Sequence, residues 1–183
     1  FQGARHVLQS QSHVDSFLSP GEDMETVLQR QENYRNFQRS FFIGQDRTRT
    51  EDGLGYVSRL TIDDVRIAIV GVDSGWLAEG GAADHGNLLI GERQVINAIN
   101  LAQECDDPPH IIVGMAHHPF HLLWEFARRP VQNRVERACR FFHCGHLHEP
   151  EARHAGPAGT GCLTLAAGAA FETRHSHNSY SVV

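Results

Sequence analysis

Eight of the thirteen histidines, His110, His117, His118, His121, His143, His146, His148 and His154, fall within one stretch of 45 residues. Imidazole binds transition metals and carries protons near neutral pH, so such clustering points to metal chemistry before any other. Two groupings stand out, His117-His118-Pro119 and His146-Leu147-His148. Pro119 pushes His118 toward an extended conformation, in which neighbouring side chains point to opposite sides, so one member of the His117-His118 pair is expected to face a given site. His146 and His148 are one residue apart. An extended backbone would put both rings on one side, with α-carbons roughly 6.5 Å apart, and would let them serve two ions about 3.5–4 Å from each other. Gly145 just before them allows a sharp turn or a close approach.

The elements that must position these rings can be traced from the pattern of apolar residues. Residues 65–72 and Ile111–Met115 read as nearly continuous apolar strands, and 141–144 as a short one. Residues 56–62 pair with 65–72 as a hairpin turning at Asp63-Asp64, and further strands are expected at 162–167 and 179–183. Helices are expected over 91–105, stopped by Asp106-Asp107-Pro108-Pro109, and over 134–140. Near the start, Ser19-Pro20-Gly21-Glu22 has the form of a capping box, and Met24, Val27, Leu28, Tyr34, Phe37 and Phe41 form one apolar stripe to about residue 42. The polar stretch 44–55 reads as a surface loop. Strands and helices alternate from 65 to 144, which makes the class α/β. Both histidine groupings follow strands, where α/β sheets gather functional groups.

Composition narrows the function. The net charge of -6 gives no strong nucleic-acid footprint, and no apolar run approaches the roughly 18 residues that span a bilayer. All sixteen basic residues are Arg. Without Lys, the glycine-rich stretch 156–161 cannot be a Walker-type phosphate loop. Cys105, Cys139, Cys144 and Cys162 lack Cys-x-x-Cys spacing and read as scattered thiols of a reducing, cytoplasmic setting. Phe1-Gln2-Gly3-Ala4-Arg5 carries no initiator Met and no signal-peptide pattern, so the chain reads as an internal piece of a longer one.

The strand followed by His117-His118-Pro119, with Phe141-Phe142-His143-Cys144 leading into Gly145-His146-Leu147-His148, resembles the C-terminal half of the calcineurin-like metallophosphoesterases. The segment Gly71-Val72-Asp73-Ser74 and the loop with Asp84-His85-Gly86 are similar to bacterial members. The resemblance covers about residues 56–183, with 1–55 as a helical and loop segment that would follow the missing N-terminal half. It implies an α/β/β/α sandwich with two facing mixed sheets and a binuclear centre of Mn, Fe or Zn. It further implies hydrolysis of a phosphomonoester or phosphodiester by a two-metal-activated water. His117 and His146 match ligands of one ion and His148 a ligand of the other, while His118 and His85 are candidate substrate-binding residues. The family's Asp-x-His, Gly-Asp-x-x-Asp and Gly-Asn-His motifs are absent, and no catalytic residue is assigned. The isolated chain would then be inactive and need its N-terminal half, which would leave an apolar face and sheet edges uncovered.

Two other readings compete. One is a noncatalytic remnant or interaction module of the same fold. The other is a structural zinc site of His143 and Cys144 with His146, His148 or Cys139, although such sites are closed by four Cys or His ligands and the cysteines here lack a matching pair. Asp73-Ser74-Gly75 lacks the Gly two residues before Ser that a nucleophile elbow needs and reads as a turn. Arg128-Arg129 reads as an exposed loop pair.

Overall fold

The computed structural model describes residues 6–19, 21–157 and 161–169. Three helices, α1 (Gln11–Phe17), α2 (Glu22–Arg30) and α3 (Glu32–Phe41), lead into a seven-stranded mixed sheet. Its strands are β1 (Arg47–Arg49), β2 (Gly55–Ile62), β3 (Val65–Val72), β4 (Ile111–Met115), β5 (Phe141–His148), β6 (Glu151–Ala155) and β7 (Cys162–Gly168), in the spatial order β1-β2-β3-β4-β5-β7-β6. Two helices, α4 (Glu92–Gln103) and α5 (Glu125–Ala138), make the crossovers β3-α4-β4 and β4-α5-β5. Strands β3, β4, β5 and β7 run parallel, so their carboxyl ends share one rim. The expected α/β class and the internal position of residues 65–72 are what the structure shows.

The β2-β3 hairpin turns at Asp63 and Asp64, both with positive φ (46° and 66°), the handedness that matches strand twist in a two-residue loop. Alternation then sorts the strands' side chains into two faces. Val57, Ala68, Val70, Ile112 and Phe142 point to one, where Val95, Ala98 and Ile99 of α4 and Val131 and Val135 of α5 cover them in one core. Ile67, Ile69, Val113, Phe141, Leu163 and Leu165 point to the other and are half-buried. A smaller core joins Leu8, Val14, Trp76, Leu77 and Leu89, with Phe17 stacked on Trp76 at 6.0 Å. Buried Gln94 ties the N-terminus of α4 to the sheet: its amide donates to the carbonyls of Leu54 and Asp73, and its oxygen accepts from Gly91 N–H.

Several sequence expectations need correction. The single helix from Pro20 to about 42 is two helices divided at Gln31, and its apolar stripe does not form one buried face. Met24 is buried, but Tyr34, Phe37 and Phe41 are 56–60% exposed, because the break at Gln31 resets the rotation of α3. Pro20 and a strand at 179–183 lie outside the described residues. The stretch 44–55 contains β1, and α5 begins at Glu125 rather than 134, with Pro130 inside it and exposed Arg128 and Arg129 on it. Helix α1 and strand β6 were not expected at all.

On the half-buried face the Tyr56 ring lies across Gly71, where a Cβ would stand 2.1 Å from a ring carbon. Gly71→Ala is therefore expected to cost about 1–3 kcal/mol by overpacking. Urea unfolding checks it, with Tyr56→Ala expected to recover most of the loss in the double variant; no recovery would place the clash elsewhere.

Candidate metal centre

The rim where β4 and β5 end carries the histidines. Past Met115 the chain bends, and Ala116 N–H donates to the His143 carbonyl at 3.0 Å while Gly145 N–H donates to the His117 carbonyl at 2.9 Å. These two bonds lace the loops together. The ring centroids of His117 and His118 stand 4.6 Å apart, those of His117 and His146 5.4 Å, and those of His118 and His146 4.7 Å. One ring nitrogen from each of the three can be chosen so that all lie within 4.8 Å of one another. This trio is the one group among the described residues whose geometry could hold an ion, and it contains no thiol.

The trio differs from the expected one. His117 and His118 both face the site, because the chain at His117-His118 bends instead of staying extended, so alternation does not separate the rings. His146 and His148 have positive φ, 72° and 59°, in place of the extended conformation assumed for a shared face. The β5-β7 register also slips between Cys144 and His148. His148 stays outside the trio, although its charge reaches His117. Gly145 is not required sterically, since a Cβ there would meet nothing nearer than 3.7 Å. Left-handed backbone at a non-glycine residue costs of the order of 1–3 kcal/mol and concentrates at functional sites. His85 is exposed, tilted against His121 at 6.5 Å, and does not line the cleft beneath the trio.

Burial and the neighbouring imidazoles hold His117 below the usual histidine range and push His118 down to about 4, against the opposing influence of Asp84 and the Ser74 hydrogen bond. Both rings are thus neutral at pH 7, the form that ligates metals. Ser74, missed by motif reasoning, fixes His118. Its hydroxyl accepts from the His118 backbone N–H at 3.1 Å and lies 2.9 Å from Nδ1, which leaves Nε2 as the ring atom to offer. Ser74 is 2% exposed, so it orients the ring and is closed to substrate as a nucleophile. Buried Asp84 stands by His118 with its carboxylate accepting from Glu79 N–H and Gly80 N–H. The chemistry of the donor set, three imidazole nitrogens, fits one borderline ion such as Zn.

A pH effect follows from His118. Its folded pKa of about 4 lies below the unfolded value of roughly 6.5, so the unfolded chain takes up protons first. Stability is intact above about pH 6.5 and is lost as pH falls toward about 4. Melting in a chelator between these limits should show the slope, shallower in His118→Gln. An unchanged slope in that variant would assign the effect to other groups.

The cleft beside the trio has a volume of about 570 Å³ and runs from Gln31 and Arg35 of α3's entry, past Asp73 and Ser74, to His117, His118 and His143. Asp73 accepts from Gln31 Nε2 at 2.6 Å and from Gly75 N–H at 2.7 Å, and burial pushes its carboxyl up. Cys139, Cys144 and Cys162 are buried, and their thiols are pushed up to about 12, 11 and 11 chiefly by burial, so they are protonated and inert at neutral pH. No helix among the described residues is long and apolar enough to cross a membrane.

No family model matches the sequence, and no curated protein matches it. Among solved structures the chain is similar to a hypothetical protein from Thermus thermophilus, at 12% identity over 60% of this chain and 37% of that one, with a TM-score of 0.39. It is similar to GAP50, the anchor in the inner membrane complex of Plasmodium, at 13% identity over 69% and 41%, TM-score 0.40. A third is a candidate 5'-nucleotidase from Staphylococcus aureus in complex with alpha-ketoglutarate, at 12% identity over 66% and 26%, TM-score 0.39. The chain therefore spans between 26% and 41% of the length of these structures. The likeness is distant and bears on none of the chemistry.

Proposed function

We propose that this chain contributes the metal-binding rim of a metal-dependent phosphoesterase that hydrolyses a phosphomonoester or phosphodiester. The observation that carries the reading is the convergence of His117, His118 and His146, from the carboxyl ends of two adjacent parallel strands, to within 4.8 Å of one another. Together with the His-His-Pro and Gly-His-Leu-His motifs, this is an arrangement suited to divalent cations next to a cleft of ligand size.

Divalent ions at such a site supply Lewis-acid activation of the phosphoryl group and of an attacking water. The residues of this chain have their own parts. His117 and His146 each offer a ring nitrogen to the site, Ser74 fixes the His118 ring, and the half-buried Asp73 and His143 border the cleft where the ester would lie. In this reading a binuclear centre recruits His148 and carboxylates from a second layer packed over Ile67, Ile69, Val113, Phe141, Leu163 and Leu165, the partly covered apolar face of the sheet.

The test has two stages. Titration of the chelator-treated chain with Co(II) should give the visible bands of a nitrogen-ligated ion, and the completed domain with added Mn should hydrolyse bis(p-nitrophenyl) phosphate. If the chain fails to bind the ion, or the ion is a single tightly held Zn whose removal unfolds the protein, the phosphoesterase reading fails; the second result would favour the structural-zinc reading.

A further inference from the structure

Helix α3 faces the cleft in an unexpected way. Its aromatic residues Phe37 and Phe41 are exposed to solvent, while Tyr34, Arg35 and Gln38, with Gln31 at its N-terminus, line the cleft. Gln38 is only 9% exposed. Arg49 on β1 joins them. Its guanidinium donates to Gln38 Oε1 at 2.6 Å, and Gln38 Nε2 in turn donates to the Tyr34 hydroxyl at 2.7 Å. A helix that turns Phe37 and Phe41 outward and Arg35 over a cavity gives up hydrophobic stabilisation unless the cavity is filled by something polar.

What would fill it is set by charge. Among the described residues no carboxylate pairs with Arg35 or Arg49, and Arg35 Nε is buried without a hydrogen-bond partner. The nearby carboxylate in the cleft, Asp73, is already engaged by Gln31 and Gly75. Burial first, and then the surrounding guanidiniums, depress both arginines: Arg39 acts on Arg35, and Arg35, Arg47 and Arg39 act on Arg49. Arg47 is occupied otherwise, sandwiched by the Phe42 and Tyr56 rings at 3.9 and 3.5 Å. Two half-buried, mutually repelling guanidiniums with unused donors match an oxygen anion, which each can bind through a planar fork.

We infer that Arg35 and Arg49 form an anion subsite in the wall of the same cleft as the histidines, and that the ligand is a phosphoester carrying a second anionic group, a phosphate or a carboxylate. Only the word phosphoester rests on the function proposed above; the anion subsite stands on the cleft alone.

The experiment uses the full chain stripped of metal by a chelator, so that no cation can bind the probe. Inorganic phosphate and malonate are titrated in parallel by calorimetry, with melting curves, against the wild type and the Arg35→Gln/Arg49→Gln variant. At least one anion should bind the wild type and raise its Tm, and the double variant should bind about tenfold more weakly or worse, as loss of charge-assisted hydrogen bonds requires. The stronger anion names the second group. The ligand-free double variant should melt at or above the wild type, because relieving repulsion offsets what the side chains contribute to packing. Equal binding by both proteins, no binding of either anion to the wild type, or a double variant that melts several degrees lower would each overturn the inference. Absence of metal binding or hydrolysis elsewhere would defeat the phosphoesterase reading and leave these outcomes untouched.

Discussion

His146→Ala should weaken metal binding by roughly a hundredfold or more, and His148→Ala by less than about tenfold. Loss of a partner that merely orients a ligand already costs about 10–100-fold in metal-site proteins, so loss of one ligand in three should exceed that. His146 is a full member of the trio, with its ring 4.7 Å from that of His118 and 5.4 Å from that of His117. His148 stands outside the trio and acts on His117 electrostatically. The comparison separates the geometry from the resemblance, because the family motif treats both histidines as ligands. Competition between the chain and a calibrated chelator for Co(II) measures both constants. Equal losses would mean that the β5 tail rearranges around the ion, and no loss in His146→Ala would remove the trio as a metal centre.

Phe142→Ala should cost about 3–5 kcal/mol, the range for truncating a buried aromatic residue, and lower Tm by roughly 10 °C in a chain of this size. Phe142 is 1% exposed and stacks on Phe120 with centroids 4.4 Å apart and planes 14° from parallel. Phe120 follows Pro119 directly, and Phe142 lies on β5 four residues before His146, so this stack is the floor on which the two histidine loops rest. The variant should therefore also lower metal affinity, while Val131→Ala, removed from the rim, should destabilise without doing so. Urea titration gives the stability change, read from the midpoint at constant slope. A loss below about 1 kcal/mol would contradict the packing described.

What sequence could reveal of this molecule depended on the range of the interactions involved. The strands Ile111–Met115 and Val65–Val72, the turn at Asp63-Asp64 and the helix beginning after Gly91 were legible because continuous apolar runs and turn chemistry are local signals. The histidine-bearing loops were legible as a place, since they follow parallel strands. Membership of the trio was not, because it depends on a bend after Met115 and a register slip at Cys144, features set by pairing with β5 and β7. Ser74 looked like part of a turn, and only the fold brings it 2.9 Å from a ring 44 residues away. Helix α3 misled most. Its aromatic stripe follows a helical period, yet Phe37 and Phe41 stay exposed while Arg35 and Gln38 join Tyr34 on the cleft, a case of a ligand-sized cavity overriding the usual rule that apolar residues turn inward.

The walls of the cleft come from widely separated parts of the chain, from Gln31 to Ala167. A molecule lodged there acts as a reversible crosslink, closing a loop of more than a hundred residues without a covalent bond. Saturating it by a hundredfold over its dissociation constant would add about 2.7 kcal/mol to the stability of the whole sheet. Occupancy of the rim and integrity of the chain are thus two readings of one equilibrium.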